Sequence, residues 1–206
     1  MVRVVDHPLV SHLIAELRTA STPVPRFREV MERMGELLAY EALRSAPTQT
    51  VEVTTPLERC EAKKLADRVT LVCILRAGAG LTAGMLRLIP EAQMGHVGMF
   101  RDEEALKPVS YYDKLPPTIQ EGPVLVCDPM LATGGSAIAC LSLLKSRGCK
   151  NVTFVGVLAA PEGLAKLRET HPDVPVVVAA VDRELNDIGY ILPGLGDAGD
   201  RIFGTL

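Results

Sequence analysis

The most informative segment of the sequence reads Val126-Cys127-Asp128-Pro129-Met130-Leu131-Ala132-Thr133-Gly134-Gly135-Ser136-Ala137. An apolar run ends in an acid, a short loop follows, and Thr-Gly-Gly-Ser opens an amphipathic helix. Two glycines let the backbone turn tightly and approach a ligand closely. The free N–H groups of a first helical turn, together with the helix dipole, favour an anion. The segment therefore predicts a strand–loop–helix unit with a phosphate site where the helix begins.

Asp128 lies upstream of this predicted phosphate site, at the end of the strand. A carboxylate there can accept hydrogen bonds from two ribose hydroxyls, so the spacing suits a sugar phosphate. Thr133 and Ser136 add hydroxyl donors, and charge-assisted hydrogen bonds of about 1.5–3 kcal/mol each would hold a phosphate monoester. An isolated Thr-Gly-Gly-Ser would indicate only a turn and a helix cap. The complete strand–acid–loop–glycine–helix arrangement favours the sugar phosphate.

Two other phosphate motifs fit the sequence less well. A Walker loop requires Lys after its last glycine, whereas Ser136 follows Gly135 here. Gly78, Gly80 and Gly84 follow another apolar run in a pattern similar to a dinucleotide fingerprint. Their spacing is one residue too long, and no acid ends a second strand about twenty residues further on.

The apolar patterning predicts an α/β fold. Four nearly continuous apolar runs, at 69–75, 124–127, 152–159 and 176–181, are typical of a parallel sheet covered by helices on both faces. Shorter strands are predicted at 97–100 and 109–112. Helices are predicted at 9–18 and at 25–44. Further helices are predicted from the glycine-rich turn after the 69–75 run up to about residue 88, at about 134–147, and after Pro161. We expect one domain over residues 1–206, with its ligand loops beyond the carboxyl ends of the strands.

Composition excludes several classes of protein. The 206 residues carry a net charge of −3 and are 48% hydrophobic, which argues against disorder and against a dedicated nucleic-acid partner. The five cysteines show no CxxC spacing, so we expect reduced, buried thiols rather than disulfides or a zinc site. No export signal or bilayer-spanning run is present, which predicts a cytoplasmic protein without a membrane partner.

Two further segments carry chemistry. Arg76 follows an apolar run and precedes Ala77 and Gly78, which suits an anion clamp because guanidinium binds phosphate oxygens in a fork; alone, it would indicate a surface ion pair. The glycine-rich C-terminal segment would by itself indicate a fraying terminus. Its glycines would alternatively allow the backbone to fold closely around a flat ring.

Residues 128–136 resemble the phosphoribosyl pyrophosphate (PRPP) motif of type I phosphoribosyltransferases in its uracil-specific form. Most of that superfamily has two adjacent acids, whereas this chain has Asp128 followed by Pro-Met, as the uracil branch does. The resemblance extends over nearly the whole chain and includes residues 26–29, 74–78, 97–101 and 189–200. It implies a type I phosphoribosyltransferase fold with a core at about 60–182, a small hood from the N-terminal segment and residues 183–206, and a flexible flap at about 101–121.

The resemblance also implies roles for particular residues. The catalytic set would be Arg76, Arg101, Asp128 and Asp197. The residues implied to bind PRPP are Arg76, Ala77, Gly78, Arg101, Asp128, Pro129, Met130, Leu131, Ala132, Thr133, Gly134, Gly135, Ser136 and Asp197. The residues implied to bind uracil are Tyr190, Ile191, Gly196, Asp197 and Ala198.

The activity implied by the resemblance is a pentosyl transfer in pyrimidine salvage, in which uracil and PRPP give UMP and diphosphate. Mg²⁺ would be held through PRPP and water rather than by protein ligands. GTP or CTP would be an effector, and the chain would form a homodimer or a larger homo-oligomer. Two alternatives remain at this point: a PRPP-binding regulator of pyrimidine operons that binds RNA, and a phosphoribosyltransferase for another base.

Overall fold

The computed structural model describes the backbone of residues 1–101 and 108–205, and the side chains of residues 1–99 and 111–205. Its strands are β1 (Val2–Val4), β2 (Thr48–Thr54), β3 (Arg59–Leu65), β4 (Thr70–Leu75), β5 (Gln93–Arg101), β6 (Pro108–Lys114), β7 (Val124–Cys127), β8 (Met130–Leu131), β9 (Val152–Ala159), β10 (Val176–Val181), β11 (Glu184–Leu185) and β12 (Ile191–Leu192). Its helices are α1 (Pro8–Arg18), α2 (Val24–Ala42), α3 (Gly78–Leu88), α4 (Gly135–Ser146), α5 (Pro161–Thr170) and α6 (Ala198–Phe203), with a short 3₁₀ turn at Ile119–Glu121.

The main sheet has eight strands in the order β1-β10-β9-β7-β4-β5-β6, with β8 beside β9. All of its pairings are parallel except that of β5 with β6, which confirms the predicted mainly parallel sheet. From β4 the chain continues to β5, which lies on one side of β4, and later to β7, which lies on the other side of β4. Strand order therefore reverses between β4 and β7, and this is the place where open α/β sheets bind ligands.

Alternating residues of the central strands enter two different cores. Leu125 and Cys127 of β7 pack with residues of α1, α2, α3 and α6, whereas Val124 and Val126 pack with residues of α4 and α5. Every residue of β7 is buried, because helices cover both faces of the sheet. This explains why the strand has no polar residue before Asp128.

The glycines of α3 serve helix packing. A Cβ at Gly84 would lie 1.8 Å from the Glu32 carbonyl oxygen of α2, and a Cβ at Gly35 would lie 2.2 Å from the Leu81 carbonyl oxygen of α3. The two helices approach so closely that only glycine fits at these points. Gly84 thus belongs to a helix contact, in agreement with the rejection of a dinucleotide fingerprint.

Besides the short elements β8, β11, β12 and α6, two features were not predicted from the sequence. Strands β2 and β3 form an antiparallel hairpin whose residues are mostly exposed, so it lacks the apolar run that marks a buried strand. It carries Cys60, which is exposed; the other four cysteines are buried, and all five are free thiols. The second feature is β1, which adds a short parallel strand beside β10.

The predicted strand at 109–112 is part of β6, which pairs antiparallel with β5. Residues 102–107 of the expected flap lie outside the described residues. Within residues 1–101 and 108–205, none of the helices combines the length and apolar character needed to cross a bilayer.

Candidate active site

The ends of β4 and β7 lie side by side, which brings together the loops that follow them. Cys73 of β4 pairs with Cys127 of β7, so Arg76 and Asp128 emerge at the same edge of the sheet. A Cβ at Gly78 would lie 2.3 Å from the Cys127 carbonyl oxygen. The loop after β4 is therefore pressed against the end of β7, at the point where strand order reverses.

The sheet anchors the first part of the β7–α4 loop (residues 128–134). The Pro129 carbonyl accepts hydrogen bonds from the N–H groups of Val157 and Leu158 at 2.9 and 3.0 Å, and the Leu131 carbonyl accepts one from Ala160 at 2.9 Å. The Leu131 side chain is fully buried. Pro129 and Leu131 thus fix the loop to the end of β9, whereas Thr133 further along the loop is exposed.

Helix α4 begins directly after this loop with an uncapped first turn. Gly134 is its N-cap residue and adopts a left-handed conformation with φ of 79°, and no side chain caps the helix. The first N–H groups of this 12-residue helix point outward beside the exposed Thr133 and the half-buried Ser136. These groups form the kind of site that binds a phosphate at a helix N-terminus.

Helix α5 supports the loop from behind. A Cβ at Gly163 would lie 2.2 Å from the Ala132 carbonyl oxygen, and a Cβ at Gly134 would lie 3.1 Å from the Gly163 carbonyl oxygen. The backbone of α5 therefore touches the β7–α4 loop directly. The sequence-based prediction missed Gly163, whose role depends on a contact across about thirty residues of chain.

Asp128 is half-buried at the end of β7, in the crevice where strand order reverses between β4 and β7. Its Oδ1 accepts a hydrogen bond from the Met130 N–H at 3.3 Å. Burial raises the pKa of Asp128 to about 7. The Met130 N–H lowers this pKa, and the negative charge of Asp197 raises it further. Asp128 and Asp197, two of the predicted acidic residues, therefore lie near each other.

The C-terminal segment closes over the β7–α4 loop. Strands β11 and β12 pair antiparallel, and Asn186 holds the turn between them by accepting the Tyr190 N–H at 2.8 Å. At the tip of this turn, a Cβ at Gly189 would lie 3.5 Å from a methyl carbon of Thr133. Asp197 then caps α6 and accepts the Asp200 N–H at 2.8 Å.

A pocket of about 180 Å³ lies between these two segments. It is lined by Met130, Ala132, Gly189, Tyr190, Ile191, Gly196, Asp197 and Ala198. All five residues predicted to bind uracil are in this set, together with Met130 and Ala132, which were predicted to bind PRPP. Their roles remain predictions, but the structure brings them to one place.

Arg76 lies at the edge of the site and is 55% exposed. Its guanidinium donates to Asp200 Oδ1 at 2.9 Å and to Thr205 Oγ at 3.4 Å. The Thr205 hydroxyl, followed by Arg76, lowers the pKa of Asp200. The sequence-based prediction missed Asp200 as a partner of Arg76, and the Arg101 side chain lies outside the described residues.

The side chains around the site can be compared with the ligands that the predicted Mg²⁺ would need. Among residues 1–99 and 111–205, no group of three or more His, Cys, Asp or Glu side chains could hold a metal ion. Asp128 and Asp197 are two neighbouring carboxylates in the crevice. Such a pair suits an ion that takes most of its oxygen ligands from a bound diphosphate and from water.

The fold is that of the type I phosphoribosyltransferases. A hypoxanthine-guanine phosphoribosyltransferase of Bacillus anthracis superposes with a TM-score of 0.53 at 13% identity, covering 77% of this chain and 80% of that one. The sequence profile of the uracil phosphoribosyltransferase family matches residues 4–205, so the chain belongs to that family. The uracil phosphoribosyltransferase of Dictyoglomus turgidum is 53% identical over 206 residues, 100% of both chains. A solved structure from Aquifex aeolicus has 37% identity, 98% coverage of both chains and a TM-score of 0.94.

Proposed function

We propose that the protein transfers the phosphoribosyl group of PRPP to N1 of uracil, forming UMP and releasing diphosphate. The observation that supports this reaction best is the shared pocket. It joins Met130 and Ala132 of the β7–α4 loop to Ile191 and residues 196–198 of the C-terminal segment. A base held by the second segment would lie directly beside a sugar phosphate held by the first.

The β7–α4 loop would bind the ribose 5-phosphate part of PRPP. The amides of residues 132–136 would hold the 5′-phosphate, because the first turn of α4 lacks a cap and Gly134 leaves its approach open. Asp128 at the strand end would accept the ribose hydroxyls. Binding of these hydroxyls favours the ionised carboxylate, so substrate binding would offset the burial that raises its pKa.

The loop after β4 would bind the diphosphate. Arg76 can release its exposed contact with Asp200 at small cost, since surface ion pairs contribute about 0–1 kcal/mol. Its guanidinium would then face two phosphoryl groups in the fork geometry they favour. Ala77 and Gly78 would present backbone N–H groups at the start of α3, and Arg101 would reach the same anion from the flap.

In the reaction, the bond from ribose C1 to the diphosphate oxygen breaks and a bond from C1 to uracil N1 forms. The diphosphate leaves with the electron pair of the broken bond, and the N1 proton passes to solvent. Positive charge that develops on the ribose would be stabilised by Asp128, and negative charge on the leaving group by Arg76. The backbone of residues 191–198 would hold uracil in line, which is catalysis by positioning.

Mg²⁺ would neutralise part of the diphosphate charge when it enters with PRPP. The ion would be held mainly by oxygens of PRPP and by water. The N–H and C=O groups at Ile191 and residues 196–198 would read the O2–N3–O4 edge of uracil, and Tyr190 would border the ring. The hood would therefore select the base, and the core would hold PRPP.

The direct test is an assay of uracil-dependent diphosphate release, with UMP identified as the second product and with Mg²⁺ present or removed by chelation. We expect turnover with uracil and Mg²⁺, and little turnover with hypoxanthine or guanine. Affinity for RNA without UMP formation would instead favour a regulatory protein. UMP formation from uracil with equal use of purine bases would contradict the proposed base selectivity.

Three further statements remain predictions from the sequence. They are the homodimer or larger homo-oligomer, regulation by GTP or CTP, and a cytoplasmic location. Sedimentation of the purified protein tests the first. Activity measured with and without each nucleotide tests the second, and fractionation of the source cells tests the third.

A further inference from the structure

We propose that Arg18 and Asp182 form a positioning pair that sets the conformation of the uracil-binding loop, and thereby the enzyme's affinity and selectivity for the base. The inference rests on the proposed function and adds two residues to it. Neither residue lines the pocket. Both act on Gly194, which lies between Ile191 and Gly196 in the C-terminal loop (residues 191–197).

The contacts among these residues form a closed set. Asp182 directly follows β10, and its side chain is only 5% exposed. It accepts hydrogen bonds from both terminal nitrogens of Arg18. Arg18 Nη1 donates to Oδ2 at 2.8 Å, and Arg18 Nη2 donates to Oδ1. Asp182 Oδ2 also accepts the Gly194 N–H at 2.9 Å, while Arg18 Nη1 donates to the Gly194 carbonyl at 2.8 Å. Both polar groups of one backbone residue are therefore held by one ion pair.

A second guanidinium holds the next residue of the loop. Arg201 donates to the Leu195 carbonyl at 2.7 Å, to the Thr19 carbonyl at 2.6 Å and to the Leu17 carbonyl. It also lies over the Phe27 ring at 4.3 Å. The loop is thus fixed to the end of α1 at two consecutive residues. These residues immediately precede the segment 196–198 that would contact uracil.

Gly194 lies close against the backbone of Ile191. Gly194 has φ of 63°, and a Cβ there would lie 2.1 Å from the Ile191 carbonyl oxygen. A displacement of Gly194 would therefore move the Ile191 backbone, which lines the pocket. Base recognition by backbone groups requires fixed backbone positions, because a misplaced donor or acceptor leaves a buried group unpaired. In this arrangement the ion pair between α1 and β10 supplies that rigidity.

The test compares Asp182→Asn with wild type in steady-state kinetics. The amide can keep one acceptor but loses the charge and the second oxygen that the Arg18 fork requires. We expect KM for uracil to rise by about 10- to 100-fold. We also expect KM for PRPP to stay within about twofold, because the β7–α4 loop is anchored separately to β9. The preference for uracil over cytosine should fall together with the affinity.

Arg18→Lys is a milder second variant, in case Asp182→Asn does not fold. Lys can still pair with Asp182 but lacks the planar fork that reaches the Gly194 carbonyl as well. Glu41→Gln is the matched control. Glu41 is an acid with 13% side-chain exposure that pairs with Arg3 and Arg44, outside the pocket residues. Its loss should lower stability without changing either KM.

The outcomes are distinguishable. A wild-type protein that forms no UMP contradicts the proposed function itself. If wild type is active but Asp182→Asn and Arg18→Lys keep its KM for uracil and its selectivity, only the positioning role is wrong. A rise in both KM values, matched by Glu41→Gln, would likewise assign Arg18 and Asp182 to stability alone.

Discussion

Arg76 and Asp200 are joined by a hydrogen-bonded ion pair of 2.9 Å that links the loop after β4 to α6. Thr205 completes the contact, because its hydroxyl donates to the same Asp200 oxygen at 2.6 Å. A Cβ at Gly199 would lie 3.2 Å from Asp197 Oδ1 and 3.6 Å from Arg76 Nη2. The predicted diphosphate residue thus lies beside the predicted base-binding segment, held by a contact weak enough to exchange for substrate.

Replacing Arg76 by Gln should lower kcat/KM for PRPP by about 10²–10³-fold, because one charged donor to the leaving group is lost. Affinity for uracil should change little. The free energy of unfolding should also change little, since the pair is exposed. Steady-state kinetics with each substrate varied in turn measure kcat/KM for PRPP and KM for uracil separately.

Arg87→Gln is the control for Arg76. Arg87 is 52% exposed and also pairs with acids, Glu32 and Glu36, but these lie on α2. Its replacement should leave kcat/KM near the wild-type value. Equal losses in the two variants would contradict a specific role for Arg76 in binding diphosphate.

Asp128→Asn should reduce kcat/KM by at least about 100-fold, because the ribose would lose the carboxylate that orients it. The amide has nearly the same shape and can still accept the Met130 N–H. Asp173→Asn serves as the comparison, since Asp173 pairs with Lys145 on the surface. Wild-type turnover by Asp128→Asn would be incompatible with the proposed mechanism.

The raised pKa of Asp128 predicts a pH-dependent difference in stability between wild type and Asp128→Asn. Burial moves this pKa from 3.8 to about 7, so the ionised carboxylate favours the unfolded chain. The unfolded state releases the proton first as pH rises, and the wild type therefore loses stability between about pH 4 and pH 7. Above pH 7 the difference should be constant, at most about 4 kcal/mol.

Urea denaturation of both proteins from pH 4 to pH 8 measures this difference. Asp128→Asn should be the more stable protein at pH 8, and the two curves should converge toward pH 4. A difference that does not vary with pH would contradict the burial of an ionisable carboxyl at this position. The same titration predicts that kcat/KM of the wild type for PRPP rises with pH toward about 7.

The core of the fold could be predicted from sequence because its signals are local. The segment at 124–127 is apolar throughout, and residues 134 and 135 are glycines, so strand, loop and helix were predicted with nearly correct bounds. The β2–β3 hairpin could not be recognised in this way. Its residues are mostly exposed, and only Val51 and Val53 of β2 alternate as half-buried residues, a pattern too short to distinguish the hairpin from a polar loop.

The predicted site residues whose side chains the structure describes lie near one another, but the residues that support them were not predicted. Asp128, Thr133 and Arg76 follow strands or open helices, which is visible in the sequence. Asp182 also follows a buried strand, and this signal was available. Its partner Arg18 lies 164 positions away, however, and such a pairing depends on the tertiary fold.

Gly163 offers a test of the contact between α5 and the β7–α4 loop. Gly163→Ala would place a Cβ 2.2 Å from the Ala132 carbonyl oxygen, so either the helix or the loop must move. Overpacking of this kind costs about 1–3 kcal/mol. Because the loop carries the proposed 5′-phosphate site, we expect KM for PRPP to rise about tenfold or more while KM for uracil changes less.

Gly84→Ala is the matched substitution for Gly163→Ala. Gly84 is also a helical glycine against a backbone carbonyl, that of Glu32, but its contact joins α2 to α3. It should lower the free energy of unfolding by a similar amount and leave KM for PRPP unchanged. If both variants lose stability alone, α5 supports the fold without positioning the phosphate site. A rise in KM for PRPP that occurs only in Gly163→Ala would instead establish that the backbone of α5 fixes the position of the β7–α4 loop, on which PRPP is proposed to bind.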